Sequence, residues 1–407
     1  MSGTIVAQVV SFGAYPLLTH LYSPIEFGLF GWYTAILVVV VVVVNGGYES
    51  AIMLPTKEDE AHHVFAICGF LIFLSSILSL FIVLFFHAII GDYIGNEKFV
   101  FWLYFLPLSI FLDGTYVAMS FLLNRRKDYK ILTRSKIVQA FTSSIVGVVM
   151  GYYFKNIFGG LIIGFICGQL AAFVAIVFVV LKSFSLRELQ FSEMKIQAKV
   201  YKDFPRYAVG SSYLNALSRQ LPFFLLSYFY VDKSVLGYFT LAHKILSAPL
   251  TFIGTTVSQI FYEKAARAKA QGGGLLRIQT MKLVEIIGGL SVIPMVIIMV
   301  WGTEIFAFVF GKEFETAGQY ARWMIPWIAF SYIVSPLSFL INVQRKLKFE
   351  LWYSTLLIMF RGGVLVIGGL YFTAEVSVAG YSLVGLIFSA GLLFWLINMS
   401  KNEDLVL

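Results

Sequence analysis

The sequence predicts an all-α, polytopic membrane protein. Three observations carry that reading. Of the residues, 59% are hydrophobic and 13% charged, the mean hydropathy is +0.84, and the apolar residues fall in runs of spanning length separated by short polar loops. A soluble domain carries about 25% charged residues, and this chain of 407 residues has too few to coat a water-facing surface. Hydrocarbon admits only helices and closed barrels, because every backbone polar group must be bonded within the protein. Continuous apolarity, without the alternation of a barrel strand, selects helices.

Twelve runs qualify, taken here in order. The first, 3–22, carries Thr4, Gln8, Ser11 and Tyr15 at helical spacing; no Lys or Arg precedes Lys57, so the start lacks the basic leader of a cleaved signal peptide, and this helix is expected to remain. The second, 29–50, ends on Glu49. The third, 64–87, follows the cluster Glu58, Asp59 and Glu60, read as a solvated loop. The fourth, 100–123, holds the stripe Ser109, Asp113, Tyr116, Ser120 and Asn124. The fifth and sixth, 137–154 and 157–181, lead into KSFSLRELQFSEMKIQAKVYKDFP at 182–205, the longest internal polar stretch, read as a cytoplasmic linker. The seventh, 206–230, carries Ser211, Asn215, Ser218, Arg219 and Pro222. The eighth, 237–262, carries Thr240, Lys244, Ser247, Thr251, Thr255 and Ser258; the Gly272–Gly274 triplet beyond it is given no chemistry. The ninth is 281–301, and the tenth, 319–342, has Ser331, Ser335, Ser338 and Asn342. The eleventh, 351–372, has Arg361 at its middle, and the twelfth is 376–398.

Sorting Lys and Arg by alternate loops places 22 of the 30 on one side and five on the other, with Arg219, Lys244 and Arg361 inside spans. The positive-inside rule then puts both termini in the cytoplasm. Basic loops of this kind need only topology and anionic lipid to explain them, so the net charge of +8 is not read as a nucleic-acid signal. Cys68 and Cys167 both sit in apolar runs and cannot build a disulfide framework or a multi-cysteine metal site, and His62 and His63 lack a spaced partner set for zinc. No cofactor is expected.

The linker divides the chain into a six-helix half, 1–181, and a second, 206–407. SPIEFGLF at 23–30 resembles DKSVLGYF at 232–239, aligning Gly28 with Gly237 and Phe30 with Phe239. Six is even, so the halves enter from one side and are expected to be parallel repeats. The polar stripes are open to two readings: small and hydroxylated residues mediating helix packing, or walls of a water-filled central cavity between the halves. Five stripes together with ionisable residues favour the cavity.

A charge near the bilayer centre costs at least about 2.5–3.5 kcal/mol on insertion scales, so an intramembrane ionisable residue is a functional candidate. Five are present: Arg219, Lys244 and Arg361 on the cationic side, Asp113 and Glu49 on the acidic side. They either pair with one another as buried structural ion pairs, or the cations, with Asn215, bind an anionic substrate while Asp113 or Glu49 takes a proton or sodium ion. Arginine suits phosphate through its bidentate fork. Seven prolines within spans, among them Pro16, Pro222 and Pro294, can kink helices as a bundle bends between inward-open and outward-open forms.

These residues resemble the Wzx-type polysaccharide flippases of the multidrug, oligosaccharidyl-lipid and polysaccharide exporter superfamily, over nearly the whole chain. The resemblance is carried by SGTIVAQVVSFGAYPLLTHLYSPIEFGLF at the start, GYESAIMLP at 47–55, and YKDFPRYAVGSSYLNALSRQLPFFLLSYFYVDKSVLGYFTLAHKILSAPLTFIG across the seventh and eighth spans. The chain departs from it at His20 and Gly47, where the family often has arginine, so roles of those basic positions do not transfer. The resemblance implies a bacterial inner-membrane protein that moves undecaprenyl-diphosphate-linked oligosaccharide to the periplasmic leaflet. Its glycan needs a polar route, because an unpaired hydroxyl costs roughly 2–7 kcal/mol to desolvate. The rivals are a multidrug or cation antiporter of the same superfamily, which would want an anionic pocket, a lipid II flippase, and a membrane glycosyltransferase or polymerase. The last needs carboxylates on a substantial external loop, and the non-cytoplasmic loops here are short.

Overall fold

A computed structural model gives the fold; it describes residues 2–95, 97–154, 159–182, 189–252, 274–338, 340–341 and 347–400. Among them are twelve long helices: α1 (Ser2–Leu21), α2 (Pro24–Val44), α3 (Glu58–Ile94), α4 (Leu106–Arg125), α5 (Tyr129–Tyr153), α6 (Gly160–Lys182), α7 (Val209–Phe229), α8 (Ser234–Phe252), α9 (Leu275–Phe310), α10 (Glu315–Leu337), α11 (Leu347–Tyr371) and α12 (Ala374–Met399). Each coincides with one expected span, and no strand occurs among the described residues. Seven are long and apolar enough to cross a membrane on those grounds alone. Of the other five, α1, α7, α8 and α10 carry polar stripes read from the sequence. Thr255, Ser258, Gly272, Gly273 and Asn342 lie outside the described residues.

Boundaries differ where local chemistry outranks apolarity. α2 starts at Pro24, five residues early, because Ser23 and Glu26 form a capping box: the Ser23 N–H donates to Glu26 Oε2 at 3.0 Å and the Glu26 N–H to Ser23 Oγ at 3.4 Å. It stops at Val44 because Gly46 and Gly47 turn the chain at φ +59° and +75° into a single helical turn, Tyr48–Ala51. A side chain at Gly47 would meet Val209 Cγ2 at 3.0 Å and the Phe204 carbonyl at 3.3 Å, in a backbone conformation that disfavours any Cβ. Packing and conformation thus both explain why no arginine stands there. α3 and α9, with 37 and 36 residues, exceed their apolar runs. At 1.5 Å per residue each spans about 55 Å, well beyond a hydrocarbon core of roughly 30 Å.

One expectation is corrected. Glu58–Glu60 is the first turn of α3 rather than a loop, and Glu58 ties that end to α4, its Oε1 2.9 Å from Arg126 Nε and its Oε2 3.3 Å from Arg125 Nε. His62 Nε2 lies 2.9 Å from Arg126 Nη2 in the same knot. Part of the linker is also built structure: Phe191–Val200 is a helix packed on α3, with the Tyr48 hydroxyl donating to the Ala198 carbonyl at 3.1 Å. A run with amphipathic residues gains a fold by covering its apolar face, which a polarity count does not register.

Contacts divide the chain into two compact units, Ser2–Phe224 and Leu225–Leu407, the boundary falling within α7 just beyond Pro222. In the first, α5 and α6 cross through small residues. A Cβ on Gly164 would come within 2.8 Å of the Ser143 carbonyl and 2.9 Å of the Gly147 nitrogen, and one on Gly168 within 2.8 Å of Ser143 Cβ. Tyr22 pins α1 to the same place, donating to the Gly147 carbonyl at 2.7 Å. In the second unit α10 is the hub, packed against α8, α9 and α12. It crosses α9 at Gly302 and Gly318, next to Trp301, whose φ of −113° breaks the helix into two segments.

Candidate functional site

The sequence places Arg361 at mid-span, and in the structure it is 3% exposed. Its guanidinium carbon stands 4.5 Å from the ring centre of Trp327 on α10 and 4.7 Å from that of Tyr381 on α12. Gly385 makes room for the arrangement, since a Cβ there would lie 2.7 Å from both Arg361 Nη2 and Trp327. No carboxylate and no hydrogen-bond acceptor among the described residues meets this guanidinium, and its buried Nε is unsatisfied. A cation–π contact is worth about 0.5–2 kcal/mol, whereas taking an ion out of water costs several kcal/mol even after relaxation. Two rings therefore orient the charge without neutralising it. Such a group binds an anion strongly, because a desolvated guanidinium offers up to five donors in a rigid fork.

From Tyr381 the aromatic contacts continue to Phe239 on α8, at 6.2 Å between centroids, and from Phe239 to His243, stacked at 5.7 Å. Lys244, next along α8, is half-buried. Arg361 and Lys244 thus belong to one unit, and the run of rings from Arg361 across α12 and α8 ends at His243, the residue before Lys244.

The other predicted residues belong to the unit Ser2–Phe224. Arg219 and Asn215, one turn apart on α7, are both exposed. Asp113 on α4 lies inside a polar interior. Gln169 of α6 stands across from its carboxylate. The Tyr33 hydroxyl of α2 meets Ser109 Oγ at 2.7 Å, and the Tyr116 hydroxyl meets Ser135 Oγ of α5 at 2.9 Å. Asn45 Nδ2 donates to the Gly114 carbonyl at 3.3 Å, leaving its Oδ1 unsatisfied, as are both polar atoms of the buried Gln169 by bond geometry. Glu49 sits in the turn after α2 with Oε2 buried and unbonded. None of Asp113, Glu49 and Arg361 forms an ion pair among the described residues. Structural pairing, the first of the two readings, does not account for these three.

Sequence reasoning missed Gln169, Tyr33 and Asn45, and the two rings around Arg361. Gln169 had a signal, as a lone amide in an apolar span. Trp327 and Tyr381 had none, because an aromatic residue in a hydrophobic run reads as packing.

A family model described as "Polysaccharide biosynthesis protein" matches residues 17–319. Among solved structures, the fold is similar to a multidrug resistance MATE family transporter of the MOP superfamily in an inward-facing conformation, with TM-score 0.75 and 14% identity over 98% of this chain and 99% of that one. It is similar to the lipid II flippase MurJ, inward closed, with TM-score 0.70 and 15% identity over 98% and 90%. The Vibrio cholerae MATE transporter VcmN in its bent form gives TM-score 0.59 at 14% identity over 99% and 96%. No curated protein matches the sequence at a significant level.

Proposed function

The chain belongs to the polysaccharide biosynthesis family whose model covers residues 17–319, and from that premise we propose that it is a flippase for undecaprenyl-diphosphate-linked oligosaccharide in surface-polysaccharide synthesis. It works by alternating access in the bacterial inner membrane, with both termini in the cytoplasm and the two six-helix halves, 1–181 and 206–407, as repeats. The observation that carries the reading is the buried Arg361, held between Trp327 and Tyr381 with no acid beside it. A diphosphate matches that charge and fork. In this reading Arg219, Lys244 and Asn215 add contacts to diphosphate or acidic sugars, and Asp113 or Glu49 takes the proton or sodium ion that resets the cycle. The protein carries cargo and transfers no sugar.

The fold similarity to the lipid II flippase supports a lipid-linked cargo. A multidrug or cation antiporter is the second reading, favoured by the unpaired Asp113 and by the similarity to MATE transporters. Replacement of Arg361 by Gln tests the first reading. It is expected to abolish surface-glycan production in a complementation assay with protein abundance unchanged, while Arg361→Lys, which keeps charge but not the planar fork, restores a fraction. Full complementation by Arg361→Gln rejects the role given to Arg361, whereas failure of the parent protein to complement, with export of a cationic dye that Asp113→Asn stops, selects the antiporter instead.

A further inference from the structure

The second unit contains a pocket of about 720 Å³ between α9, α10 and α12, distinct from the Arg361 cage but sharing Trp327 as a wall. Its volume lies within the roughly 300–1,000 Å³ of small-molecule sites. Apart from Ser382, whose hydroxyl donates to the Val378 carbonyl, the polar lining is gathered at one end: Gln319 and Arg322 in the first turns of α10, Glu375 in the first turn of α12. The opposite end is apolar, with Trp327, Leu383 and Leu386, about 18 Å along from the helix starts at 1.5 Å per residue.

Arg322 and Glu375 carry opposite charges in one pocket and yet form no ion pair within 4.0 Å. Each is held by a different partner. The Arg322 stem crosses α9 at Gly302, and its Nε donates to the Met299 carbonyl at 2.9 Å, two residues before the break at Trp301. Glu375 Oε1 accepts the Trp323 indole N–H at 3.0 Å. Among the described residues, the terminal nitrogens of Arg322 and Oε2 of Glu375 have no protein partner. Two opposite charges held apart by their own supports complement a ligand that carries both signs.

The surface around the pocket says where that ligand comes from. Met299, Val300, Val376, Leu383 and Ile387 are exposed apolar residues on the flanking faces of α9 and α12, which suits hydrocarbon rather than water. An occupant entering there is a lipid, with its head at the polar end and a chain along the apolar end. Trp323, half-exposed beside the charges, fits the headgroup level where tryptophan is enriched.

The geometry points to a binding site for a zwitterionic aminophospholipid of the surrounding bilayer. Its phosphate sits on the terminal nitrogens of Arg322 and its ammonium on Oε2 of Glu375, in the leaflet opposite the basic loops. The chemistry is that of phosphatidylethanolamine: one phosphate, one ammonium with hydrogens to donate, and a chain to line Trp327 and Leu386. This site is separate from the cargo and does not depend on its identity.

Native mass spectrometry of the purified full-length protein, delipidated and then equilibrated with equal amounts of phosphatidylethanolamine and phosphatidylglycerol, tests the assignment. The parent protein is expected to retain phosphatidylethanolamine about ten-fold over phosphatidylglycerol, the factor that one charge-assisted hydrogen bond supplies. Glu375→Gln brings the ratio to parity, because only the ammonium contact is lost. Arg322→Gln lowers retention of both lipids about ten-fold, because both carry phosphate. Leu386→Trp, which fills the apolar end without touching a charge, also lowers both. Equal retention of the two lipids by the parent protein overturns the proposal even if every variant fails to fold. So does an unchanged ratio in Glu375→Gln, and so does release of the bound lipid by a soluble oligosaccharide, which would assign the pocket to a glycan.

Discussion

At the scale of single residues, an intramembrane charge is easy to find in a sequence and its surroundings are not. Arg361 stands out because nothing near it in the chain is charged, and the same isolation marks Asp113. What holds Arg361 is supplied by α10 and α12, distant in sequence, through Trp327 and Tyr381. Gly385 is as much a part of the cage as the rings. Gly385→Ala is expected to lower stability by about 1–3 kcal/mol, the range for inserting a methyl into a filled interior, since the added carbon would stand 2.7 Å from both Arg361 and Trp327. Thermal unfolding of the purified protein in detergent reads the loss. Gly69→Ala, where a Cβ meets nothing within 4 Å, is the matched control and is expected to be neutral or slightly stabilising. Glu58 carries the opposite lesson. Its acidic neighbours made it look like solvated loop, but its partners Arg125 and Arg126 are 67 and 68 residues away.

At the scale of elements, spans are legible because the criterion for a membrane helix is local: length and apolarity, segment by segment. All twelve expected runs became helices. Their ends were less legible wherever a cap or turn decided them, as Ser23 and Glu26 begin α2 and Gly46 and Gly47 end it. In the polar stripes, some hydroxyls are satisfied by their own backbone: Thr240 donates to the Leu236 carbonyl and Ser338 to the Ser335 carbonyl. Helix crossings depend instead on the glycines. In hydrocarbon there is no hydrophobic drive between helices, so close backbone approach through small residues carries association. Gly164 and Gly168 on α6 face Gln139, Ser143 and Gly147 on α5, while Gly147 and Gly151 on α5 face Leu18, Leu21 and Tyr22 of α1, each pair of glycines spaced by four. Gly164→Val is expected to push α5 from α6 and cost more than Gly385→Ala, because the obstructing atoms are backbone and cannot rotate away. The yield of folded protein on size exclusion, together with its unfolding temperature, measures that effect.

At the scale of the whole molecule, the fold is that of MATE and MurJ structures at 14–15% identity, and within the family the matched stretch reaches from α1 into α10. The bias of 22 to five in loop Lys and Arg sets the expected orientation. A green fluorescent protein fused after Leu407 is therefore expected to fluoresce and alkaline phosphatase at that position to be inactive. Alkaline phosphatase inserted between α9 and α10 is expected to be active. The reverse pattern would turn the molecule over and place the Arg322 pocket in the cytoplasmic leaflet.

By itself the sequence determined what depends on each segment's transfer from water: the class, the helices, the placement of basic loops and the presence of charges where charges are costly. Only the tertiary structure decided which of those charges have neighbours. It put two rings and no acid around Arg361, gathered Gln169, Tyr33 and Asn45 near Asp113, and held Arg322 and Glu375 in one pocket without pairing them. The reason is physical. Hydrophobicity adds up residue by residue along the chain, whereas the balance of a buried charge depends on side chains from other helices, whose approach is set by packing that no single segment encodes.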